Sequence, residues 1–266
     1  MSGPSVVEVA VVQFAAEPGD VTRNVARLVE HVRTHGPDVD LVVAPELATT
    51  GYDLDMVQAR GVELAETSDG PSLARLARAC AEVSTTLMMG FLERDRDLLY
   101  DSIATITPNH EISVYRKTHL YPAELAHFAA GANLGTVETP AGVLGPMLCF
   151  EHAFPEIATT LALRGAQVLV IPSAVPVGFE HLLSLRSRAR AQDNQLFVLA
   201  CNLTGHGFCG GSLVSDPRGD VLAAAGQQET VLRARLDLDA VHRERTQEPA
   251  LRMRRPDLYG SLGDDS

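Results

Sequence analysis

The sequence has 266 residues, of which 45% are hydrophobic, and its formal net charge is −12. This length suits one large α/β domain or two small ones. The negative charge argues against nucleic acid and anionic membranes as partners. The N-terminal stretch MSGPSVVEVAVVQF has no basic leader, and no run approaches eighteen apolar residues, so we expect neither a signal peptide nor a transmembrane helix.

The cysteines, at positions 80, 149, 201 and 209, show neither metal nor disulfide spacing. Reduced thiols in a chain of this size are typical of an intracellular protein. We therefore expect a cytoplasmic protein.

In the first half of the chain, short apolar runs alternate with segments of helical periodicity. The elements predicted there are, in order, a strand over 6–14, a helix over 21–35, a strand over 40–46, a helix over 68–83, a strand over 85–93, and two strands within 100–117 joined by a Pro-Asn-His turn. The first helix depends on apolar residues such as Val25, Val29 and Val32, which fall on one face.

The second half continues the same alternation. Its predicted elements are a strand over 141–150, a helix over 155–166, a strand over 167–174, a helix over 179–194, a strand over 195–202, a β-hairpin over 210–225, and a strand over 230–238. Pro155 suits the first turn of a helix, and Gly165 suits its stop.

Strands outnumber helices in this pattern, and many are apolar on both faces. Such strands are typical of sheets covered by helices, so we predict a layered α/β sandwich. No linker or repeat divides the chain, and we predict one domain over residues 1–266. The tail from about 245 to 266 has little periodicity, and we expect it to wrap a partner subunit or to fray.

Three predicted strand ends each carry one polar residue suited to catalysis. Glu46 follows a buried strand, Lys117 ends a hairpin strand, and Cys149 ends another strand. Strand edges of α/β proteins commonly aim catalytic groups into a crevice. Each residue also has an ordinary structural interpretation: a solvated carboxylate, a surface charge and a core thiol. Together they supply a nucleophile, an oxyanion partner and a proton carrier.

Lys117 is the only lysine in the sequence, because the other 21 of the 22 basic Lys and Arg residues are arginine. A lysine that persists against this composition suggests a role that arginine cannot fill. Cys149 needs activation, because a free thiol has a pKa of about 8.5. We expect a helix starting near Pro155 to lower that pKa through its dipole, and Glu46 to take the thiol proton.

These residues, in the order Glu, Lys, Cys, resemble the pattern of the nitrilase superfamily of carbon–nitrogen hydrolases. The resemblance includes "PE" before "GY", "YRKTHL", the cysteine followed by "FPE", "RARAQDNQLFVLACN", "GGSLVSDPRGDVL" and "RRPDLY", and it covers nearly the whole chain. It implies an αββα sandwich that usually assembles as a homodimer or a larger homo-oligomer. The apolar residues Leu182, Leu183 and Leu185 fit such an interface.

The resemblance also implies the roles of the site residues. It makes Glu46 the general base, Lys117 the cation facing the oxyanion, and Cys149 the nucleophile, with the following backbone N–H in the oxyanion hole. Glu124 matches a second glutamate near the lysine, although an exposed helix residue is the alternative. The resemblance implies no metal and no organic cofactor.

The sequence departs from the family pattern in two places. Asp193 stands where glutamate is usual, which concerns packing more than chemistry. The stretch "CFEH" resembles nitrilases through Glu151 and His152, whereas "FPE" resembles amidases. His152 also permits a rival cysteine–histidine mechanism, but a residue three positions after the nucleophile rarely points back at it.

We therefore predict an amidase-type hydrolase that acts on a small amide, or on an N-carbamoyl compound, with water and through a cysteine thioester. The alternatives are a nitrilase and a catalytically inactive scaffold. Four residues are expected to bind substrate: Tyr52, Phe150, His152 and Ala174. The neighbourhoods of Phe128 and Phe179 are expected to shape the same pocket.

Overall fold

Two six-stranded β-sheets form the frame of the protein, whose computed structural model describes residues 4–259. The strands are β1 (Val6–Gln13), β2 (Leu41–Val43), β3 (Thr86–Asp95), β4 (Leu98–Ile106), β5 (Ile112–Arg116), β6 (Val137–Thr139), β7 (Gly142–Pro146), β8 (Val168–Ser173), β9 (Phe197–Asn202), β10 (Thr204–Gly205), β11 (Phe208–Cys209), β12 (Leu213–Ser215), β13 (Val221–Ala224) and β14 (Thr230–Asp237).

The helices connect and cover these strands. The α-helices are α1 (Val21–His35), α2 (Leu54–Leu64), α3 (Pro71–Val83), α4 (Pro155–Leu163), α5 (Glu180–Asn194), α6 (Asp239–Gln247) and α7 (Pro256–Tyr259), and the 3₁₀ turns span Gly36–Asp38, Pro122–Glu124 and Cys149–Ala153.

The two sheets have related topologies. The strand order is β14-β1-β2-β3-β4-β5 in the first sheet and β13-β12-β9-β8-β7-β6 in the second. In each sheet three adjacent strands run parallel, β1-β2-β3 and β7-β8-β9, and the remaining strands pair antiparallel. Parallel neighbours need crossover connections, and the helices between these strands provide them. The short strands β10 and β11 pair with each other as a separate two-stranded sheet.

The alternation of side chains along the strands divides the core into layers. In β1, Val9 and Val11 face the core between the two sheets, whereas Ala10 and Val12 face the core shared with α1 and α3. Successive strand residues point to opposite faces, so a strand that is apolar throughout can serve both layers. On the second sheet, Ile157 of α4 packs in an outer core with strand residues. The predicted αββα sandwich is therefore confirmed.

Helix α2 was not predicted from the sequence. Asp53 caps it by accepting a hydrogen bond from the Met56 N–H at 2.9 Å, which is the usual function of an aspartate at this position. Only Val57, Gly61 and Leu64 of the helix are buried, so its apolar stripe is too narrow to stand out in the sequence.

The strand predicted over 141–150 is shorter in the structure and ends at Pro146. Cys149 consequently opens a 3₁₀ turn instead of ending a strand. The tail is also more regular than expected, because its first residues belong to α6. The Arg245 guanidinium of this helix donates hydrogen bonds to the carbonyls of Ala166 and Asn194 at 3.2 Å.

The tail as far as residue 259 thus begins by packing on its own chain, and residues 260–266 lie outside the described part. Its wrapping of a partner stays a prediction, as does the assignment of residues 1–266 to one domain. Within residues 4–259, no helix combines the length and the apolar character needed to cross a bilayer.

Candidate active site

The ends of three strands bring Glu46, Lys117 and Cys149 into one site. Glu46 follows β2, Lys117 comes directly after β5, and Cys149 follows β7. Glu46 and Lys117 are completely buried, whereas Cys149 is half-buried and reaches the wall of a cavity. The other three cysteines are buried elsewhere.

The Lys117 ammonium is surrounded by three carboxyl groups. Its Nζ atom lies 2.7 Å from Glu46 Oε1, 2.7 Å from Glu124 Oε1 and 3.1 Å from Asp101 Oδ2. An ammonium has three N–H donors, so each donor has one carboxyl acceptor. All four side chains are at most 1% exposed. Oxygen atoms of the three acids lie within 4.8 Å of one another, and the lysine supplies the cation of this cluster.

Charge and burial strongly perturb this cluster. Burial works to lower the pKa of Lys117, but the surrounding acidic groups, Glu46 above all, outweigh it and raise that pKa well above its ordinary value. Burial raises the pKa of Asp101 well above its ordinary value; Lys117 opposes this effect, and the Glu46 charge adds to it. Lys117 is therefore charged at neutral pH, and burial favours the protonated form of Asp101.

Glu124 is held firmly instead of exposed. Its Oε1 atom also accepts a hydrogen bond from the Tyr52 hydroxyl at 2.7 Å, and its Oε2 atom accepts one from the Tyr121 N–H at 2.7 Å. The second bond closes the 3₁₀ turn at Pro122–Glu124. The carboxylate therefore joins Lys117 to Tyr52, which lies in the wall of the cavity.

Cys149 stands at a strained position in the backbone. Its φ is +42°, in the left-handed region that residues with a Cβ rarely adopt. Such strain persists only where the surroundings impose it, and it is frequent at functional sites. The following residue, Phe150, lies in the first turn of the 3₁₀ helix, where backbone N–H groups have no acceptor within the helix.

Glu151 ties the turn of Cys149 to the loop that carries Lys117. Its Oε2 atom accepts the Leu148 N–H at 2.7 Å. Its Oε1 atom accepts four hydrogen bonds: from the Tyr115 hydroxyl at 2.7 Å, the Thr118 N–H at 2.7 Å, the Thr118 hydroxyl at 2.6 Å and the His119 N–H at 3.3 Å. These five donors compensate for the burial of an acid that is 0% exposed.

The expectation that a helix dipole lowers the pKa of Cys149 is wrong. Burial raises the pKa of the thiol well above its ordinary value, the Glu46 charge raises it further, and Lys117 opposes both. Helix α4 begins only at Pro155, after the intervening 3₁₀ turn, and a helix dipole acts only near the first turn. The resting thiol is therefore protonated, and attack requires a base.

His152 is not placed as a base for Cys149. Its Nε2 atom lies 3.2 Å from Nη1 of Arg186, which can only donate, so Nε2 is the acceptor and Nδ1 carries the proton. Burial, followed by the charges of Arg186 and Arg190, lowers the pKa of His152 to about 3. This geometry and basicity do not favour the rival cysteine–histidine mechanism.

A cavity of about 370 Å³ opens at Cys149. The four residues predicted to bind substrate all line it: Tyr52, Phe150, His152 and Ala174. Phe179 also lines it, whereas Phe128 packs in a separate core with residues such as Leu47. Glu124 and Arg186 are the charged side chains of the lining.

A larger groove of about 880 Å³ lies away from Cys149, along β5 and the segment after Ala129. Its arginine, Arg116, already pairs with Glu93 at 2.6 Å and with Asp95 at 2.9 Å. We therefore place the chemistry in the smaller cavity, where Cys149 and the Lys117 cluster meet.

Sequence reasoning missed Asp101, Glu151 and Arg186 as parts of this site. Asp101 looks like one polar residue in a hairpin strand, and Arg186 like one of several arginines in an amphipathic helix. Glu151 stands out in the sequence only as part of the "CFEH" stretch. Their proximity to the site depends on the packing of distant elements, and no local spacing encodes it.

Comparisons with known proteins find sequences that are similar over most of this chain. The sequence model of the family described as Carbon-nitrogen hydrolase matches residues 8–245. A Pseudomonas protegens protein named "Hydrolase in pqqF 5'region" is 35% identical, covering 98% of this chain and 94% of that protein. An "(R)-stereoselective amidase" from a Pseudomonas species is 33% identical, covering 96% of this chain and 93% of that protein.

A solved structure shows the same fold. Nit3 of Saccharomyces cerevisiae, described as a member of branch 10 of the nitrilase superfamily, superposes with a TM-score of 0.85 at 28% identity, covering 93% of this chain and 97% of the yeast chain. With the family match over most of its length, the chain belongs to the carbon–nitrogen hydrolase family of the nitrilase superfamily.

Proposed function

We propose that this protein is an amidase that hydrolyses small amides through a thioester on Cys149, with Glu46 and Lys117 as its catalytic partners. The observation that carries the proposal is the buried ammonium of Lys117, bonded to Glu46 and Glu124 beside a cysteine that opens into a cavity. The relative named as an amidase favours amides over nitriles as substrates.

In the first half-reaction, Cys149 Sγ attacks the amide carbonyl while its proton passes to Glu46. The thiol needs this base because its pKa is raised by burial and by the Glu46 charge. The three donors of Lys117 already bond to carboxyl groups, so Lys117 stabilises the negative oxygen through its charge, and the N–H of Phe150 donates a hydrogen bond to it. The C–N bond then breaks, and the nitrogen leaves as ammonia with the proton that Glu46 received.

In the second half-reaction, water attacks the thioester. Glu46 takes a proton from the water as the C–O bond forms, and the C–S bond breaks to release the carboxylic acid. The returning proton restores the thiol, so the cycle consumes one amide and one water and yields one acid and one ammonia. Glu124 does not exchange protons in this scheme; it holds Lys117 and Tyr52 in place.

The lining of the cavity indicates a substrate with an acidic group. Arg186 is the cationic side chain of the lining, and among residues 4–259 it has no carboxylate within ion-pair distance. Neutral His152 accepts one of its hydrogen bonds without cancelling its charge. A substrate carboxylate could supply the missing partner, so we propose short amides that carry a second, acidic end.

The test is a substrate panel of amides, nitriles and N-carbamoyl compounds, with ammonia and the carbon product both measured. The proposal predicts turnover of amides that exceeds turnover of nitriles with the same carbon skeleton. Faster nitrile conversion would reassign the protein as a nitrilase. No turnover of any compound would favour the inactive scaffold.

We also propose that the protein is at least a dimer and that it is cytoplasmic. Leu185 is 63% exposed and suits an interface, whereas Leu183 is 1% exposed and packs inside its own chain, so the expectation for Leu183 is wrong. The free cysteines favour a reducing compartment. A monomer in light scattering at micromolar concentration would contradict the first proposal, and secretion to an oxidising compartment would contradict the second.

A further inference from the structure

Asp101 is the unexplained member of the buried cluster. It lies on β4, is 0% exposed, and places Oδ2 3.1 Å from Lys117 Nζ. The proposed mechanism does not use it. With Glu46 and Glu124, it gives the single ammonium three acids, which leaves the cluster with a formal charge of −2 if all of them are ionised. Such an unbalanced buried charge is costly.

Two oxygen atoms of the cluster identify where one proton resides. Asp101 Oδ1 and Glu46 Oε2 are both buried, and neither has a hydrogen-bond donor among residues 4–259. An ionised carboxylate can accept hydrogen bonds but cannot donate one. The two groups therefore cannot hydrogen-bond to each other unless one of them is protonated. Carboxyl oxygens of Asp101, Glu46 and Glu124 lie within 4.8 Å of one another, and one proton shared between Asp101 and Glu46 would satisfy both atoms.

We propose that Asp101 is a positioning residue that stays protonated, donates a hydrogen bond from Oδ1 to Glu46 Oε2, and accepts one from Lys117 at Oδ2. In this form the side chain acts as a neutral equivalent of asparagine. Glu46 is then held at both oxygens, by Lys117 on Oε1 and by Asp101 on Oε2. The positioning role rests on the proposed function of Glu46, whereas the protonation does not.

The charged groups around Asp101 act on its ionisation in opposite directions. Glu46 and Glu124 oppose its ionisation, and Lys117 alone favours it. Cys149 is a protonated thiol at rest, and Tyr52, bonded to Glu124, has a pKa raised by burial and by the nearby acids. Neither of these groups adds a positive charge.

The proposal predicts in which direction the stability of Asp101→Asn relative to wild type changes as the pH rises. A carboxyl group that is protonated in the folded state and ionised in the unfolded state stabilises the protein fully below its unfolded pKa of about 4, and loses that contribution as the pH rises toward its folded pKa. Asp101→Asn keeps the neutral shape and removes this loss. The folding equilibrium constant of Asp101→Asn relative to wild type should therefore grow by up to tenfold per pH unit above about pH 4.

The experiment is denaturant unfolding of both proteins between pH 4 and pH 8. Asp95→Asn is the matched control, because Asp95 lies at the exposed end of β3 and pairs with Arg116; it should not gain stability with pH. A ratio for Asp101→Asn that does not vary with pH, or that falls as pH rises, would overturn the proposal. Failure of Asp101→Asn to fold would overturn it as well, because a neutral equivalent should fit.

A spectroscopic and a kinetic readout complete the test. Infrared spectra of the wild type at neutral pH should contain the carbonyl band of a protonated carboxyl group, and Asp101→Asn should lack that band. Amide turnover of Asp101→Asn should stay within a few-fold of wild type, whereas Asp101→Ala, which leaves Glu46 Oε2 unpaired, should lose about tenfold or more. If no amide is turned over by the wild type, the proposed function fails while the stability and infrared results still decide the protonation.

Discussion

The Nζ atom of Lys117 lies 2.7 Å from Oε1 of Glu46, and neither side chain is exposed to solvent. Because the ammonium also bonds to Glu124 and Asp101, all three of its donors are directed. A cation fixed in this way needs little reorganisation when a negative oxygen forms nearby. The same contacts explain why the only lysine of the chain occurs at this position.

Lys117→Arg should reduce amide turnover by about 10²- to 10³-fold, the usual effect of losing one oxyanion contact. The guanidinium is wide and planar, and it cannot direct one donor to each of three acids packed around a compact ammonium. Steady-state kinetics and a melting curve test this. The neighbouring exchange Arg116→Lys is the control, because Arg116 pairs with Glu93 away from the cavity. Rates within a few-fold of wild type in folded Lys117→Arg would show that any cation suffices.

Glu46→Gln should lose about 10² to 10⁴ in turnover, because it removes the proposed general base. It should also make the Cys149 thiol more acidic, since the Glu46 charge is one cause of its raised pKa. The measurement is the thiolate absorbance as a function of pH, with Cys149→Ala subtracted. We expect the titration of Cys149 to move to lower pH in Glu46→Gln. An unchanged or higher titration midpoint would contradict the electrostatic coupling.

Glu151→Gln should slow turnover by about tenfold or more while KM changes little. The amide nitrogen would replace one acceptor with a donor in a site where three of the five partners are backbone N–H groups, and a buried unsatisfied group is costly. The turn of Cys149 would then lose its fixed position relative to Lys117. Glu93→Gln is the control, because Glu93 is also buried but bonds to Ser102 and Arg116. Equal losses of kcat in both variants would show that Glu151 has only a general structural role and does not specifically position Cys149.

Arg186→Met should lower kcat/KM about 10- to 100-fold for the monoamide of a short dicarboxylic acid, the effect expected from losing a hydrogen bond between charged groups. The neutral amide with a methyl group in place of the carboxylate should be affected far less. Arg188→Met is the matched control on the same helix, since Arg188 donates to the Gly219 carbonyl instead. If the neutral and acidic amides respond alike, Arg186 does not select the substrate.

The residues proposed for catalysis could be predicted because each follows a strand that the sequence marks clearly. Glu46, Lys117 and Cys149 come at the ends of apolar runs, and the family resemblance connects the three. The fold could be predicted for the same reason, because strands that are apolar on both faces require cover on both sides.

The supporting contacts could not be predicted, because they depend on three-dimensional packing. Asp101 reaches Lys117 from the adjacent strand β4, and Glu151 reaches back 33 residues to Thr118. The raised pKa of the Cys149 thiol also escaped the sequence, since it results from burial and from the charge of Glu46, which lies more than a hundred positions earlier. The sequence can predict that a residue lies at the end of a strand. The charges and the burial around its side chain depend on all the elements packed there.

The most direct test of the account is mass spectrometry of the protein quenched in acid during amide turnover, with Cys149→Ala as the control. The account predicts that the peptide containing Cys149 gains the mass of the acyl group, and that Cys149→Ala neither gains it nor releases ammonia. An acyl group on a different residue, or turnover by Cys149→Ala at the wild-type rate, would contradict the thioester mechanism.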